Sequence, residues 1–204
     1  MRNCKEMLCV IFAGVMLAVL MSGSLARESA KLAQCDSNLK KILQKLHTYV
    51  DTYEVMPPVW TEPPPAWIFW ENRLDPKLAT NPDWACPSDP RNAHMYAPAD
   101  PLAPTTRRLS SSSYGMNERM HTYNSKKRRA TIHDFVRPEK LIIFGDSKSP
   151  YLQPVQNPGF RRHRDKYHFI TASGAIRLYS EKDLGGRKPD GHFYVKNELW
   201  TPWQ

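Results

Sequence analysis

The stretch that decides the fold is MLCVIFAGVMLAVLM (Met7–Met21), followed by SGSLA (Ser22–Ala26) and RESAKLAQCDSNLKKILQKLHTYVDTY (Arg27–Tyr53). Its first part is apolar on every side. Its second part is apolar on one side only: Leu32, Cys35, Leu39, Ile42, Leu46, Tyr49 and Tyr53 step by three and four, while Lys31, Lys40, Lys41 and Lys45 fall off that stripe. No proline occurs before Pro57-Pro58, which then ends the helical pattern. The spacing predicts one helix of roughly 70 Å at ~1.5 Å per residue. The stripe Leu32, Leu39, Ile42, Leu46, Tyr49 and Tyr53 is its expected interaction face.

Working outward, Arg2 and Lys5 precede the apolar run and small residues follow it. That order fits a secretory signal cleaved after Ala26. It equally fits an anchor, because residues 7–26 as a helix measure about 30 Å, the thickness of a bilayer core. Both readings export the chain. Three segments follow: residues 1–26 as membrane anchor or signal, 27–56 as a continuous amphipathic helix, and 57–204 as a small head. The head divides into a loop-rich part, 57–130, and a sheet part, 131–204.

Most of the 18 prolines lie between residues 57 and 104, where Trp60, Trp67, Phe69, Trp70 and Trp84 also cluster. Their expected use is to cover the helix stripe; an aromatic groove for a peptide or sugar is the sharper alternative. Ser110–Ser113 and the basic run Lys126–Arg129 mark further loop. Leu141-Ile142-Ile143-Phe144 has the look of a buried strand. Lys166–Thr171 and Ala175–Tyr179 flank Ala172-Ser173-Gly174 as a hairpin, and Phe193-Tyr194-Val195 reads as an edge strand. A long N-terminal helix packed on a small C-terminal antiparallel sheet is an α+β arrangement.

The net charge is +9, and the chain after Ala26 keeps +8 once Arg2, Lys5 and Glu6 are removed. Such a balance suits an anionic polymer or acidic surface, so nucleic acid stays a less favoured partner. Of four cysteines, Cys4 and Cys9 belong to the apolar segment. Cys35 and Cys86 are the two in the exported part, and an oxidising compartment favours their disulfide. Closing a loop of about fifty residues is worth about 4 kcal/mol on chain entropy.

Seven histidines form no metal-binding motif. His163 and His168, five apart with strand-like residues between, are not expected on one face. No cofactor, metal or catalytic set is predicted. A remote alternative is a metal-dependent hydrolase in which Asp146 meets His163 beside Arg161, Arg162 and Arg164; the plain expectation is that Asp146 caps a strand-to-loop turn.

Several motifs in series resemble one family. Cys35-Asp36-Ser37-Asn38-Leu39-Lys40-Lys41-Ile42, Cys86-Pro87-Ser88-Asp89-Pro90, Ser113-Tyr114-Gly115-Met116-Asn117, Arg137–Ser147, Arg162-His163 and the Phe169–Ile176 hairpin are similar, in order and spacing, to pseudopilin-like proteins with an N-terminal methylation-type helix. These belong to the planctomycete and lentisphaeral kind. The prepilin signature is degenerate here: Glu6 stands near the signature glutamate, but Cys4-Lys5 replaces its apolar neighbours. The hairpin reads Ala172-Ser173-Gly174-Ala175 where the family has Ala-Asp-Gly-His. The resemblance implies a non-enzymatic, single-pass inner-membrane protein with its head in the periplasm. Its partners are then copies of itself or other subunits of a type II secretion or type IV pilus-like system. The alternative is a cleaved, secreted binding module for anionic polymer or polysaccharide.

Overall fold

The computed structural model describes residues 3–61, 68–77, 81–89, 112–120, 135–147, 151–153, 161–186 and 196–200. Its first element, α1, is a single α-helix over Asn3–Tyr53. It shows no interruption at Ser22–Arg27, the join between the all-apolar and one-sided parts. The helix ends at Glu54, whose φ of 55° is left-handed and whose amide donates to the Val50 carbonyl at 2.7 Å, a helix-terminating geometry. The two prolines therefore follow the stop and keep the chain from resuming the helix.

The two parts of α1 have opposite surroundings. Ile11, Phe12, Val15, Met16, Leu17, Leu20, Met21 and Leu25 are all exposed, and the helix holds a window apolar and long enough to cross a membrane, none of it buried. Farther on, Cys35, Asn38, Leu39, Ile42, Leu43, Leu46 and Val50 are buried. Part of the expected stripe faces the chain's own head. Leu39, Ile42 and Leu46 are sealed inside the chain's own core, Leu32 and Tyr49 lie half-covered at its margin, and Tyr53 is exposed. The stripe docks the head; the free apolar surface is the earlier run, Ile11–Leu25.

The head contains a two-stranded sheet, β1 (Trp60–Thr61) with β2 (Ile68–Phe69), and a larger sheet of six strands. These six are β3 (Tyr114–Asn117), β4 (Ile142–Asp146), β5 (Tyr151–Leu152), β6 (Arg161–His163), β7 (Lys166–Thr171) and β8 (Ile176–Tyr179). β3 pairs antiparallel with β4 and parallel with β5, while β7 pairs antiparallel with β4, β6 and β8. Three short helices, α2 (Trp70–Leu74), α3 (Glu181–Leu184) and α4 (Asn197–Trp200), complete the described elements. The architecture is α+β, as expected. The expected hairpin is β7–β8, closed by Gly174 at φ +82°, a conformation glycine adopts without a Cβ penalty. β3, however, lies inside the segment assigned to loop. The edge strand at Phe193–Val195 and the run Lys126–Arg129 fall outside the described residues.

Two cores flank the sheet. Met116, Phe144 and Ile170 face α1 together with Trp70 and Trp84. Phe169, Tyr167 and Leu152 face the other way, against Leu184, Leu199 and Trp200. Trp70 stacks on Phe144 at 4.7 Å between ring centroids and meets Trp84 at 5.5 Å. These two tryptophans cover the helix stripe, as the composition led one to expect; the side chains of Trp60, Trp67 and Phe69 lie outside the described residues.

Candidate functional site

The polar side chains that the head buries are concentrated where α1 crosses one end of the sheet. Register explains why. Tyr114 pairs with Asp146, and the β4–β7 pairing of Phe144 with Ile170 and Gly145 with Phe169 continues to Asp146 opposite His168. Tyr114, Asp146 and His168 therefore form one row across the sheet on the face that α1 covers.

β6 adds the next two groups. Arg164 and Asp165 have φ of 52° and 59°, so the two-residue β6–β7 connection is of the primed type that matches strand twist. A register irregularity between Arg161 and His163 turns both Arg162 and His163 inward, and both are buried. His163 and His168 thus stand on neighbouring strands, edge to face, with ring centroids 5.0 Å apart. The expectation that these histidines do not share a face is corrected. They belong to two strands joined by a tight turn, not to one strand with fixed alternation.

From the helix side come Cys35, Asp36 and Asn38; from the segment after the 3-10 turn Pro82–Trp84 come Cys86 and Asp89. The sulfurs of Cys35 and Cys86 lie 2.7 Å apart in a buried position. Both are thiols in the structure, placed where the disulfide expected from the sequence would form. Asn38 Nδ2 donates to the Ala85 carbonyl at 3.0 Å. Lys41 pairs with Asp83 at 2.7 Å and Lys45 with Asp75 at 3.2 Å. α1 thereby holds Asp75, Asp83 and Ala85 along two turns, with the cysteines beside that clamp.

Arg162 ties the strand ends together. Its guanidinium donates to the Ser113 carbonyl at 2.7 Å, the Ser147 carbonyl at 2.7 Å and the Asp89 carboxylate at 2.8 Å. Ser113 Oγ donates to the same carboxylate at 3.0 Å. Neither Arg162 nor Asp89 exposes its side chain.

Asp146, the last residue of β4, is less well served. Oδ1 is 3.5 Å from Arg162, and Oδ2 is 3.5 Å from His163 Nε2 and 3.9 Å from His168 Nδ1. Neither carboxylate oxygen accepts a hydrogen bond, and His168 Nδ1 makes none either. Burial pushes the Asp146 carboxyl up to about 6 against the opposing pull of Arg162 and His163. Burial and the neighbouring His163 push His168 down to about 4, partly offset by Asp36, to which His168 Nε2 donates at 2.7 Å. Burial works to lower His163, but contact with Cys86 Sγ at 3.4 Å and the charge of Asp146 outweigh it, so His163 is raised. The Cys86 thiol is pushed up by its contact with Cys35 and by burial.

The structure therefore brings together two groups of residues that the sequence kept apart: Cys35 with Cys86, and Asp146 with His163. It adds His168, Asp36 and Asp89, which sequence reasoning missed, and it buries Arg162, which the hydrolase alternative had set in a basic groove. Asp146 does not cap an exposed turn; it lies fully buried within a strand end. Asp146 and His168 have zero exposure and His163 has 2%, so the cluster is closed from solvent, with Asp36 of α1 against His168. Chemically the set offers a thiol pair, two imidazoles and a carboxylate, so it can form a disulfide, hold a proton or hold a cation. Comparison with known protein families, with curated proteins and with solved structures finds no match.

Proposed function

We propose that the chain is a pseudopilin-like envelope protein, held in a membrane by residues 7–26 and presenting its head outside the cytoplasm. The observation that carries this reading is the change of surroundings along one unbroken helix. Exposed apolar side chains from Ile11 to Leu25 give way to a stripe locked into the head, with no hinge between them. A lone exposed apolar rod is costly in water, and burial in lipid or against like rods removes that cost. In lipid, such helices associate through close van der Waals packing, so the proposed contact between subunits is the Ile11–Leu25 surface.

The motif series supports the same reading, because its residues are used where the head is locked together. The cysteine of the Cys35–Ile42 motif meets the cysteine of the Cys86–Pro90 motif. Asp89 of the second meets Arg162, and Ser113 of the third joins them. The polysaccharide alternative loses two of its aromatic side chains, since Trp70 and Trp84 have no exposed surface. The hydrolase alternative has its pair, Asp146 and His163, but under a closed helix.

Membrane fractionation of cells expressing the whole chain tests the proposal. The expected result is recovery in the membrane fraction, resistant to carbonate and released by detergent. Recovery only as a soluble species beginning after Ala26 excludes the anchor.

A further inference from the structure

We propose that Asp146, His163 and His168 bind one divalent transition-metal ion of the zinc type, which ties β4, β6 and β7 together beneath α1. This site is independent of the membrane-anchor reading, because it lies wholly within the head and its helix.

The Asp36 carboxylate accepts from His168 Nε2 at 2.7 Å, which fixes the imidazole tautomer with its hydrogen on Nε2. His168 Nδ1 then presents a lone pair toward Asp146 Oδ2, 3.9 Å away, and His163 Nε2 approaches the same oxygen at 3.5 Å. The donor atoms of the three residues lie within 4.8 Å of one another. Neither Asp146 oxygen and no hydrogen on His168 Nδ1 takes part in a hydrogen bond. A buried carboxylate that accepts no hydrogen bond is expensive, and an electron-rich oxygen facing an electron-rich nitrogen makes it more so. A cation between them satisfies both.

Spacing and charge agree with this. Two nitrogen or oxygen donors on a tetrahedral ion stand ~3.3 Å apart at ~2.0 Å bond lengths, so the 3.5 Å and 3.9 Å gaps to Asp146 need only a small contraction, while the two imidazole nitrogens stand within 4.8 Å of each other. Asp36, Asp89 and Asp146 against Arg162 leave two formal negative charges around neutral imidazoles, which one divalent ion cancels. Asp36 takes the place that an orienting carboxylate occupies behind a metal-bound histidine, and Arg162 holds the oxygen of Asp146 that faces away from the site. Imidazole and carboxylate donors match zinc and its neighbours in the transition series. Cys86 Sγ, 3.4 Å from His163 Nε2, is a fourth donor whenever it is not bonded to Cys35.

The test uses the full chain without an affinity tag, produced in zinc-supplemented medium, purified in detergent and dialysed against excess zinc, then against buffer. Mass spectrometry of metal content is expected to give one zinc per wild-type chain and none in His168→Ala. Because His168→Ala removes a buried side chain, Asp36→Asn serves as the second variant: Asp36 is partly exposed on α1, and its change leaves the three ligands in place. Competition with a chromogenic chelator is expected to show zinc affinity 10–100-fold weaker in Asp36→Asn. Wild-type zinc content no higher than that of His168→Ala, or equal affinity in wild type and Asp36→Asn, overturns the proposal.

Discussion

Arg162 and Asp89 form an ion pair at 2.8 Å in which neither side chain has any exposed surface. Asp89 belongs to the segment that α1 clamps and Arg162 to β6, and with the Ser113 and Ser147 carbonyls that Arg162 also holds, the pair joins four separate pieces of chain. Taking two charges out of water is costly, and the fixed donors around them recover that cost only while both are present. Asp89→Ala strands a buried guanidinium and Arg162→Met strands a buried carboxylate. Each single change is expected to cost about 3–5 kcal/mol. The double change is expected to cost less than the sum of the two, measured by urea unfolding of all four proteins as a double-mutant cycle.

The cysteine pair gives a second prediction. Cys35 and Cys86 are 51 residues apart in sequence, and the proposed placement of the head outside the cytoplasm puts them where disulfides form. Protein recovered from the envelope is expected to resist alkylation at both positions until reduced, and then to gain two adducts, read by mass spectrometry. Reduction is expected to lower stability by up to about 4 kcal/mol, the chain-entropy limit for such a loop. Alkylation at both sites without reductant refutes the bond.

Asp75 predicts a pH dependence of defined sign. Burial alone raises its carboxyl, but hydrogen bonds from Trp84 Nε1, Asn81, the Lys77 amide and Lys45 outweigh burial and bring it down to about 2. A carboxylate depressed in the folded state contributes fully above its unfolded value near 4 and loses that contribution as pH falls toward 2. The contribution is about 2 kcal/mol. The stability gap between wild type and Asp75→Asn is expected to be largest above pH ~4 and to close toward pH ~2, measured by chemical unfolding across that range. A gap unchanged over the window contradicts the assignment.

The parts of the fold legible in the sequence are those set by local periodicity. A stripe at three and four spacing placed Leu39, Ile42 and Leu46 in the core, and Gly174 between two alternating runs placed the β7–β8 hairpin. Of the cluster, only the meeting of Asp146 with His163 was raised from the sequence, as an alternative; pairing between distant strands decides the rest. Tyr114, Asp146 and His168 share a row only through β3–β4–β7 register. His163 faces His168 only because Arg164 and Asp165 take up a turn that usually calls on Asn or Gly. One signal was available: in Tyr167–Thr171, alternation puts His168 on the same side as Ile170, and an ionisable residue at an inward position calls for a partner. The surroundings of Gly145 were hidden for the same reason. It pairs with Phe169, and a Cβ there would overlap the Phe169 ring and come within 2.8 Å of the His168 carbonyl oxygen. Gly145→Ala is expected to cost about 1–3 kcal/mol through overpacking.

The two ends of α1 make separable predictions, because one is inside the head and the other outside it. Ile42 has no exposed surface, whereas Leu17 is 60% exposed. Ile42→Ala opens a cavity in the head and is expected to lower its unfolding free energy by about 2–5 kcal/mol. It leaves the apolar run intact and should leave membrane recovery unchanged in chain that is folded. A charged residue at Leu17 does the reverse. It touches no part of the head core, yet placing Arg in the middle of a bilayer span costs about 2.5–3.5 kcal/mol on insertion scales. Leu17→Arg is therefore expected to shift the chain from the membrane to the soluble fraction while the head unfolds at the wild-type denaturant concentration. If Leu17→Arg instead lowers head stability, the early helix packs against the head and is no anchor. If it changes neither property, residues 7–26 do not rely on lipid.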